Sequence, residues 1–255
     1  MSTAVAPTLD TLPPAAPAGR AASRRAFLGV LRLEWRRQLL TPRVLWPLAL
    51  AALPLAVTGI MAWVMTHVAS NESVRLDPEV YPNLYHALIV RIVLFFGCLA
   101  FFLNLVRGEV EERTMHYLLL TPVRRPLLVL GKYLAAVGSS SLLFLVSTVG
   151  SFVLFHVPYG IGTAFTATAL RQLAAYCGMT VLGCIGYGGA FLALGTLLRS
   201  PGPFVAFFFA WEWFEFLLPP LLKQASVVHY LKALTPVPIP EGPFALLADP
   251  TPAPL

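Results

Sequence analysis

The sequence predicts an all-α polytopic membrane protein, and three observations lead to this prediction. Hydrophobic residues make up 57% of the 255 residues and charged residues only 12%, whereas soluble domains average about 25% charged residues. The mean hydropathy is +0.74. The apolar residues stand in continuous runs, which are typical of membrane helices, and do not alternate as in a barrel. An ordinary soluble enzyme, a disordered chain and a coiled coil are excluded.

The N-terminal region divides into two parts. Residues 1–21 are rich in Pro, Ala and Thr and show no periodicity, which predicts a disordered tail. Residues 22–41 predict an amphipathic helix, because large apolar residues recur every four positions, at Phe27, Leu31, Trp35 and Leu39. Arginines lie beside this stripe. Such a helix is typical of the membrane interface, and a plain cytoplasmic helix is the alternative.

Five apolar segments follow, and each has the ~20 residues needed to cross a hydrocarbon core of about 30 Å. They are predicted at about 44–66, 87–106, 134–157, 173–198 and 203–222. Residues 22–222 therefore form one predicted membrane domain. The Pro-rich tail, 223–255, is predicted to lie outside, with one short helix near Ser226–Leu234 on the outer surface.

Positive charge predicts the orientation of the spans. Twelve arginines lie before Val44 and in the loops 107–126 and 199–202, whereas the loops 67–86 and 158–172 contain two. Arginine and lysine concentrate in cytoplasmic loops. The N-terminus and the 107–126 loop are therefore expected in the cytoplasm.

The 107–126 loop is the most informative segment. It opens with the carboxylates of Glu109, Glu111 and Glu112, continues with an apolar patch, and reaches Arg125 after a break at Thr121-Pro122. This pattern predicts a short amphipathic helix on the membrane face, acidic at its start and basic past its end, as a helix dipole favours. Such an element suits docking to a soluble partner. A plain interfacial connector is the alternative.

Three charged residues fall at membrane depth: Arg91, Glu212 and Glu215. Charges inside a membrane are costly and indicate function by default. Glu212 and Glu215 share a helix face, and three roles stay open for them: an ion pair with Arg91, contact with substrate, or exposure at the outer surface.

The fourth span predicts a helix-packing face. Gly186 with Ala190, and Gly189 with Ala193, have the small-xxx-small spacing that lets helix backbones approach closely. The cysteines Cys98, Cys177 and Cys184 lie in apolar runs and are expected to be small buried hydrophobes. No phosphate-binding loop and no metal or nucleophile motif is present in the sequence, so catalysis by this chain is not expected.

The 107–133 segment resembles the signature of type-2 (export-type) ABC transporter permease subunits, and is similar to the branch of multicopper-enzyme maturation and gliding-motility permeases. Residues that match the pattern are Gly108, Glu109, Glu111, Thr114, Leu119, Pro122, Val123, Arg125, Gly131, Lys132 and Tyr133. Arg113 stands where the pattern has glycine. The family normally has six spans, so either the sequence stops before a sixth span or the protein lacks one.

This resemblance implies a non-catalytic subunit in the bacterial plasma membrane that works as a homo- or heterodimer of permeases. A separate ATP-binding subunit, which binds ATP and Mg²⁺, would dock on an element that contains Glu109, Glu111, Glu112, Thr114, Leu119, Thr121, Pro122 and Arg125. Lipid is the other expected partner, and nucleic acid is not expected. Two alternatives stay open: a membrane scaffold or assembly factor, and an ion-coupled secondary transporter that uses Glu212 and Glu215, for which broken helices would be a sign.

Overall fold

A computed structural model describes residues 29, 32, 35, 38, 44–67, 80–111, 125–198, 202–214, 219–224 and 226–236, and only the backbone at 104, 106–111, 125–128 and 220. This part of the chain is almost entirely helical and contains no strand, which confirms the all-α prediction. Its helices are α1 (Leu45–His67), α2 (Val80–Leu84), a π-helix π1 (Tyr85–Leu94), α3 (Phe95–Glu111), α4 (Arg125–His156), α5 (Ala167–Leu197), α6 (Gly202–Trp213), α7 (Pro220–Lys223) and α8 (Val227–Ala233). Two short 3₁₀ turns, Val157–Tyr159 and Ile161–Phe165, connect α4 to α5.

Four helical segments in the described residues are long and apolar enough to cross a membrane. They are Leu45–His67, Val80–Leu103, Val129–Tyr159 and Ala167–Leu197. They overlap the first four predicted spans. The second consists of α2, π1 and the first part of α3, which follow one another without a break.

The segment predicted as a fifth span, 203–222, is not one continuous helix. Helix α6 has 12 residues, which corresponds to about 18 Å and is shorter than a hydrocarbon core of about 30 Å. After it, Pro219 is extended (φ −58°, ψ 153°) before the four residues of α7. The Pro219-Pro220 pair explains the extended backbone, because a proline disfavours helical geometry in the residue before it.

The short helix predicted near Ser226–Leu234 is present as α8. One face of it packs against the bundle, because Ser226 and Val228 have no exposed surface and Leu231 is 3% exposed. Its position on the outer side of the membrane stays a prediction. Residues 237–255 lie outside the described residues.

The second span is the centre of the bundle. Ile89, Val90, Val93, Leu94 and Cys98 have no exposed surface. The helices α1, α4 and α5 pack around it. Because lipid is as apolar as these side chains, close packing and hydrogen bonds hold the spans together rather than exclusion from water.

A buried hydrogen-bonded network joins the second, third and fourth spans. The Tyr85 hydroxyl donates to the carbonyl of Tyr176 at 2.9 Å and lies 2.9 Å from Oγ1 of Thr180. Thr180 in turn lies 3.1 Å from Oγ1 of Thr148. The Tyr81 hydroxyl donates to the Thr148 carbonyl at 3.3 Å. These polar groups satisfy one another inside the apolar bundle.

Small residues and hydroxyls also bring α1 against α4. The Ser147 hydroxyl donates to the carbonyl of Ala51 at 2.6 Å. A Cβ on Gly150 would lie 2.5 Å from Cδ2 of Leu55, so glycine favours this close approach. Inside α1, Pro54 removes one backbone donor, and the buried Thr58 hydroxyl donates to the Pro54 carbonyl at 2.7 Å.

The predicted interfacial helix, 22–41, is described at four positions only. Gly29, Arg32, Trp35 and Gln38 have helical backbone, and the Ser139 hydroxyl of α4 donates to the Gln38 side chain. The rest of this helix and the tail 1–21 lie outside the described residues.

The packing of α3 on α5 gives a testable prediction. A Cβ on Gly188 would lie 2.5 Å from Cζ of Phe102, whose ring is fully buried. Gly188→Ala should destabilise the protein by about 1–3 kcal/mol, because the ring must move within a packed core. The measurement is thermal unfolding of the purified protein in detergent.

Gly178→Ala is the matched control on the same helix. No atom lies within 4 Å of the Cβ that it adds, and alanine is the better helix former. Its melting temperature should equal or exceed that of the parent protein. If Gly188→Ala and Gly178→Ala lower the melting temperature equally, the proposed role of Gly188 is contradicted.

Candidate functional site

The carboxylate of Glu212 is the centre of the candidate site. Glu212 lies near the end of α6 and is 3% exposed. Its Oε1 accepts a hydrogen bond from the backbone N–H of Val227 at 2.9 Å, and its Oε2 accepts one from Val228 at 3.1 Å. The hydroxyls of Ser226 and Tyr187 donate to Oε2 at 2.9 and 3.3 Å. A buried carboxylate is costly unless its oxygens have donors, and these four groups supply them.

Three of the four donors belong to the start of α8. Ser226 is the N-cap residue, and its hydroxyl oxygen also accepts from the N–H of His229 at 3.3 Å. The first N–H groups of a helix have no acceptor within it, and they carry a partial positive charge. Glu212 supplies both acceptors and opposite charge, so it holds the start of α8 beside the end of α6.

The site lies near the middle of the bundle. Glu212 is ten residues from the first residue of α6, Gly202, and Tyr187 is ten residues from the last residue of α5, Leu197. At 1.5 Å per residue each distance is about 15 Å. Glu212 and Tyr187 therefore meet about 15 Å from these two helix ends.

Arg91 of π1 binds the end of α6, where the chain leaves this helix before α7 and α8. Its Nη1 donates to the backbone carbonyl of Trp213 at 3.3 Å. Its guanidinium carbon also lies 5.6 Å from the centre of the Trp213 ring. The last carbonyls of a helix lack intrahelical donors and carry partial negative charge, so a cation is favourable there.

The sequence leaves three roles open for Glu212: an ion pair with Arg91, contact with substrate, and exposure at the outer surface. The four hydrogen bonds to its carboxylate come from neutral groups, and Arg91 donates to the Trp213 carbonyl. Exposure at the outer surface does not apply to Glu212, because it is buried. Glu215 lies outside the described residues.

Aromatic rings fix α6 against the second and fourth spans. The Phe95 ring of α3 lies 5.1 Å from Phe191 of α5 and 5.2 Å from Phe209 of α6, measured between ring centres. Phe208 of α6 lies 6.3 Å from Tyr187. Edge-to-face contacts of this kind add to the packing energy of the rings. They place Tyr187 where its hydroxyl reaches Glu212.

Two features of the site are not predicted by the sequence. The ten-residue π-helix that carries Arg91 has no simple sequence signal, although π-helical turns occur often at functional sites. Tyr187 belongs to a glycine-rich run with no polar neighbour beside it in sequence. Ser226 does have a signal, because a serine before a run of helix-forming residues is a typical N-cap.

The predicted docking element is only partly described. Glu109 and Glu111 belong to the last turn of α3, and Arg125 is the first residue of α4. The prediction that these carboxylates open a separate short helix is wrong for Glu109 and Glu111, because helix-forming residues continue α3 past Gly108. The other residues of the element lie outside the described residues: Glu112, Thr114, Leu119, Thr121 and Pro122.

The predicted packing face of α5 is partly occupied. A Cβ on Gly186 would lie 3.0 Å from Cγ1 of Val227, and one on Gly189 would lie 3.8 Å from the Tyr133 hydroxyl. Ala190 is half-buried, whereas Ala193 is exposed. The tightest approaches lie at two other glycines of the run, Gly183 and Gly188.

Comparison with known proteins gives one match. The family model described as ABC-2 family transporter protein matches residues 30–237, a range that includes π1 and all eight α-helices. Searches of curated proteins and of solved structures found no match to the chain. In the part of the chain that the structure describes, no group of three or more His, Cys, Asp or Glu residues could hold a metal ion.

The N-cap of α8 gives a prediction for stability. Ser226→Ala removes the hydroxyl that donates to Glu212 and accepts from His229. Loss of an N-cap costs about 0.5–2 kcal/mol, so the melting temperature in detergent should fall. Tyr230→Phe is the matched control, because Tyr230 lies on the exposed face of the same helix. An equal melting temperature for Ser226→Ala and the parent would contradict the assigned role.

Proposed function

The chain belongs to the ABC-2 family of transporter proteins, and from this premise we propose that it is a permease subunit that moves a substrate while a separate subunit hydrolyses ATP. Its four long apolar helices agree with the multi-pass membrane component of an ABC transporter. The proposal adds to the family assignment the partner, the surface that the partner binds and the direction in which the chain faces.

One structural observation carries the docking part of the proposal. The apolar run of the second span ends at Val106, its helix continues five residues further, to Glu111, and the helix of the third span starts at Arg125. At 1.5 Å per residue, α3 extends about 7.5 Å beyond the apolar run. Consecutive spans have these two ends on one side of the membrane. Both ends carry charged residues, which suit contact with a soluble protein.

We therefore assign docking of the ATP-binding subunit to the segment between these helix ends. Its carboxylates are Glu109, Glu111 and Glu112, and its other residues are Thr114, Leu119, Thr121, Pro122 and Arg125. In this proposal ATP and Mg²⁺ bind the partner subunit, and nucleotide-driven closure of the partner moves α3 and α4. A second permease subunit, identical or related, completes the transporter.

The same proposal assigns the protein to a bacterial plasma membrane with its N-terminus in the cytoplasm. The arginine-rich loops support this orientation. The exposed apolar side chains of α1, which include Trp46, Ile60 and Trp63, fit contact with lipid.

An ion-coupled carrier is the second candidate, and one observation favours it. The segment from α6 to α8 is interrupted beside a buried carboxylate, and interrupted helices hold coupling ions in secondary transporters. Many such transporters use paired repeats, however, and the described residues contain one interruption of this kind. The family assignment and the projecting ends of α3 and α4 favour the permease.

The docking surface gives a prediction for complex formation. Glu109→Ala combined with Glu111→Ala should abolish co-purification of the ATP-binding subunit in mild detergent, because two carboxylates are removed from the proposed contact. The measurement is the molar ratio of the two subunits after affinity purification and mass spectrometry. The variant must still insert in the membrane at the parental level.

Asp77→Ala combined with Glu79→Ala is the matched control, because it removes two carboxylates from a loop predicted on the other side. This variant should retain the ATP-binding subunit. A parent protein that purifies without any ATP-binding subunit would favour the scaffold or the ion-coupled carrier. If the Glu109→Ala, Glu111→Ala variant retains the ATP-binding subunit, the assignment of the docking surface is refuted, but the permease proposal is not.

The orientation is tested by labelling of single cysteines in intact cells. With Cys98, Cys177 and Cys184 replaced by alanine, Ser70→Cys should react with a membrane-impermeant maleimide. Thr121→Cys should react only after the cells are opened, because its loop is predicted to be cytoplasmic. If Thr121→Cys reacts in intact cells and Ser70→Cys reacts only in opened cells, the membrane orientation is the opposite of the proposed one.

A further inference from the structure

Helix α8 fills a notch in the fourth span. We define this glycine notch by Gly183 and Gly186 of α5. A Cβ on Gly186 would lie 3.0 Å from Cγ1 of Val227. A Cβ on Gly183 would lie 2.7 Å from Cδ1 of Leu94 and 3.4 Å from Cδ1 of Leu231. Gly186 therefore leaves space for Val227, and Gly183 leaves space that Leu231 shares with Leu94 of the second span. The notch lies near the depth of Glu212, because Tyr187 follows Gly186 in α5.

One face of α8 is exposed. It has seven residues, and this face exposes Tyr230 and the following Leu234. In a bilayer, the exclusion of water does not drive so short a helix against its neighbours, and this one also contains His229 and Lys232. Hydrogen bonds therefore weigh more heavily in its placement, and three of them run from the start of α8 to Glu212.

Glu212 links three elements that follow different paths. It belongs to α6, its carboxylate binds the start of α8, and it accepts from Tyr187 of α5. Helix α6 is in turn fixed to α3 by the Phe95 and Phe209 rings. The carboxylate is thus the connection through which a movement of α3 and α6 would reach α8.

We propose that Glu212 is a positioning residue that holds α8 in the glycine notch, and that α8 leaves the notch when nucleotide binds the partner subunit. The second half of this inference rests on the proposed function. Departure of α8 opens a groove on α5 between Gly183 and Gly186. Closure of the partner acts on α3 through the docking surface, and α6 transmits it to Glu212.

A disulfide across the notch reports the position of α8. The Cβ of a residue at position 186 would lie 4.0 Å from the Cβ of Val227, within the range of about 3.5–4.5 Å that disulfides require. Gly186→Cys with Val227→Cys is therefore introduced after Cys98, Cys177 and Cys184 are replaced by alanine. The complete complex with the ATP-binding subunit is oxidised with copper phenanthroline, with and without ATP and vanadate.

We expect the disulfide to form readily without nucleotide and to form at least about fivefold more slowly with ATP and vanadate, a factor that corresponds to about one net hydrogen bond. Glu212→Gln should slow it by a similar factor without nucleotide, because the glutamine amide turns a donor towards the N–H groups of α8.

The pair Leu55→Cys and Gly150→Cys is the control, because a Cβ at position 150 would lie 3.8 Å from Cγ of Leu55 across α1 and α4. Its disulfide should form at the same rate in every condition, which also shows that each variant is folded. The proposal is overturned if the rate of disulfide formation between positions 186 and 227 changes neither with nucleotide nor with Glu212→Gln. If Glu212→Gln fails to fold, the effect of nucleotide on the disulfide rate in the protein that retains Glu212 decides whether the proposal stands.

The two proposals can fail separately. If no ATP-binding subunit accompanies the chain, the proposed function fails, and the comparison of the parent with Glu212→Gln in nucleotide-free protein decides whether the carboxylate holds α8. If the subunit binds and the disulfide rate does not respond to nucleotide, the permease assignment stands and the movement of α8 is refuted.

Discussion

Backbone ends inside an apolar bundle require partners, and this constraint shapes the site around Glu212. Helix α6 ends at Trp213 inside the bundle, and α8 begins beside it. Each end leaves backbone groups that would cost several kcal/mol in hydrocarbon if unsatisfied. Glu212 accepts from the N–H groups of Val227 and Val228, and Arg91 donates to the Trp213 carbonyl. The two charges also oppose the partial charges of the helix ends.

The neighbouring spans are shaped to receive these interrupted helices. The second span has a fully buried apolar centre, and its Phe95 ring contacts the rings of α5 and α6. Glycines of α5 leave space for Leu94 and Phe102 of the second span and for Val227 and Leu231 of α8. The hydroxyl network around Tyr85 and Thr180 then ties the second, third and fourth spans together. The interrupted segment thus rests on spans that are joined by satisfied polar contacts.

The distance between the projecting helix ends and the Glu212 site suggests how a permease of this kind responds to its ATP-binding partner. In our proposal the helix ends at Glu111 and Arg125 project on one side of the membrane, whereas Glu212 lies about 15 Å within the bundle. The aromatic contacts between α3 and α6 connect the two regions. A carboxylate that binds neutral donors can exchange them at lower cost than a charge that must leave a buried ion pair. Helix α8 is therefore the element that we expect to move.

The sequence by itself determined the class of the fold and the first four spans, because hydrophobic runs of this length have few alternatives in a protein with so little charge. It also indicated that Glu212 is unusual, since a carboxylate at membrane depth needs a reason. Only the tertiary structure decided its hydrogen-bond donors. Arg91 was one expected partner, but three of the four donors lie at the start of a helix fourteen or more residues later in the chain. The Pro219-Pro220 pair marks the break in the sequence, but which side chain reaches the freed backbone groups depends on how α6 and α8 pack together.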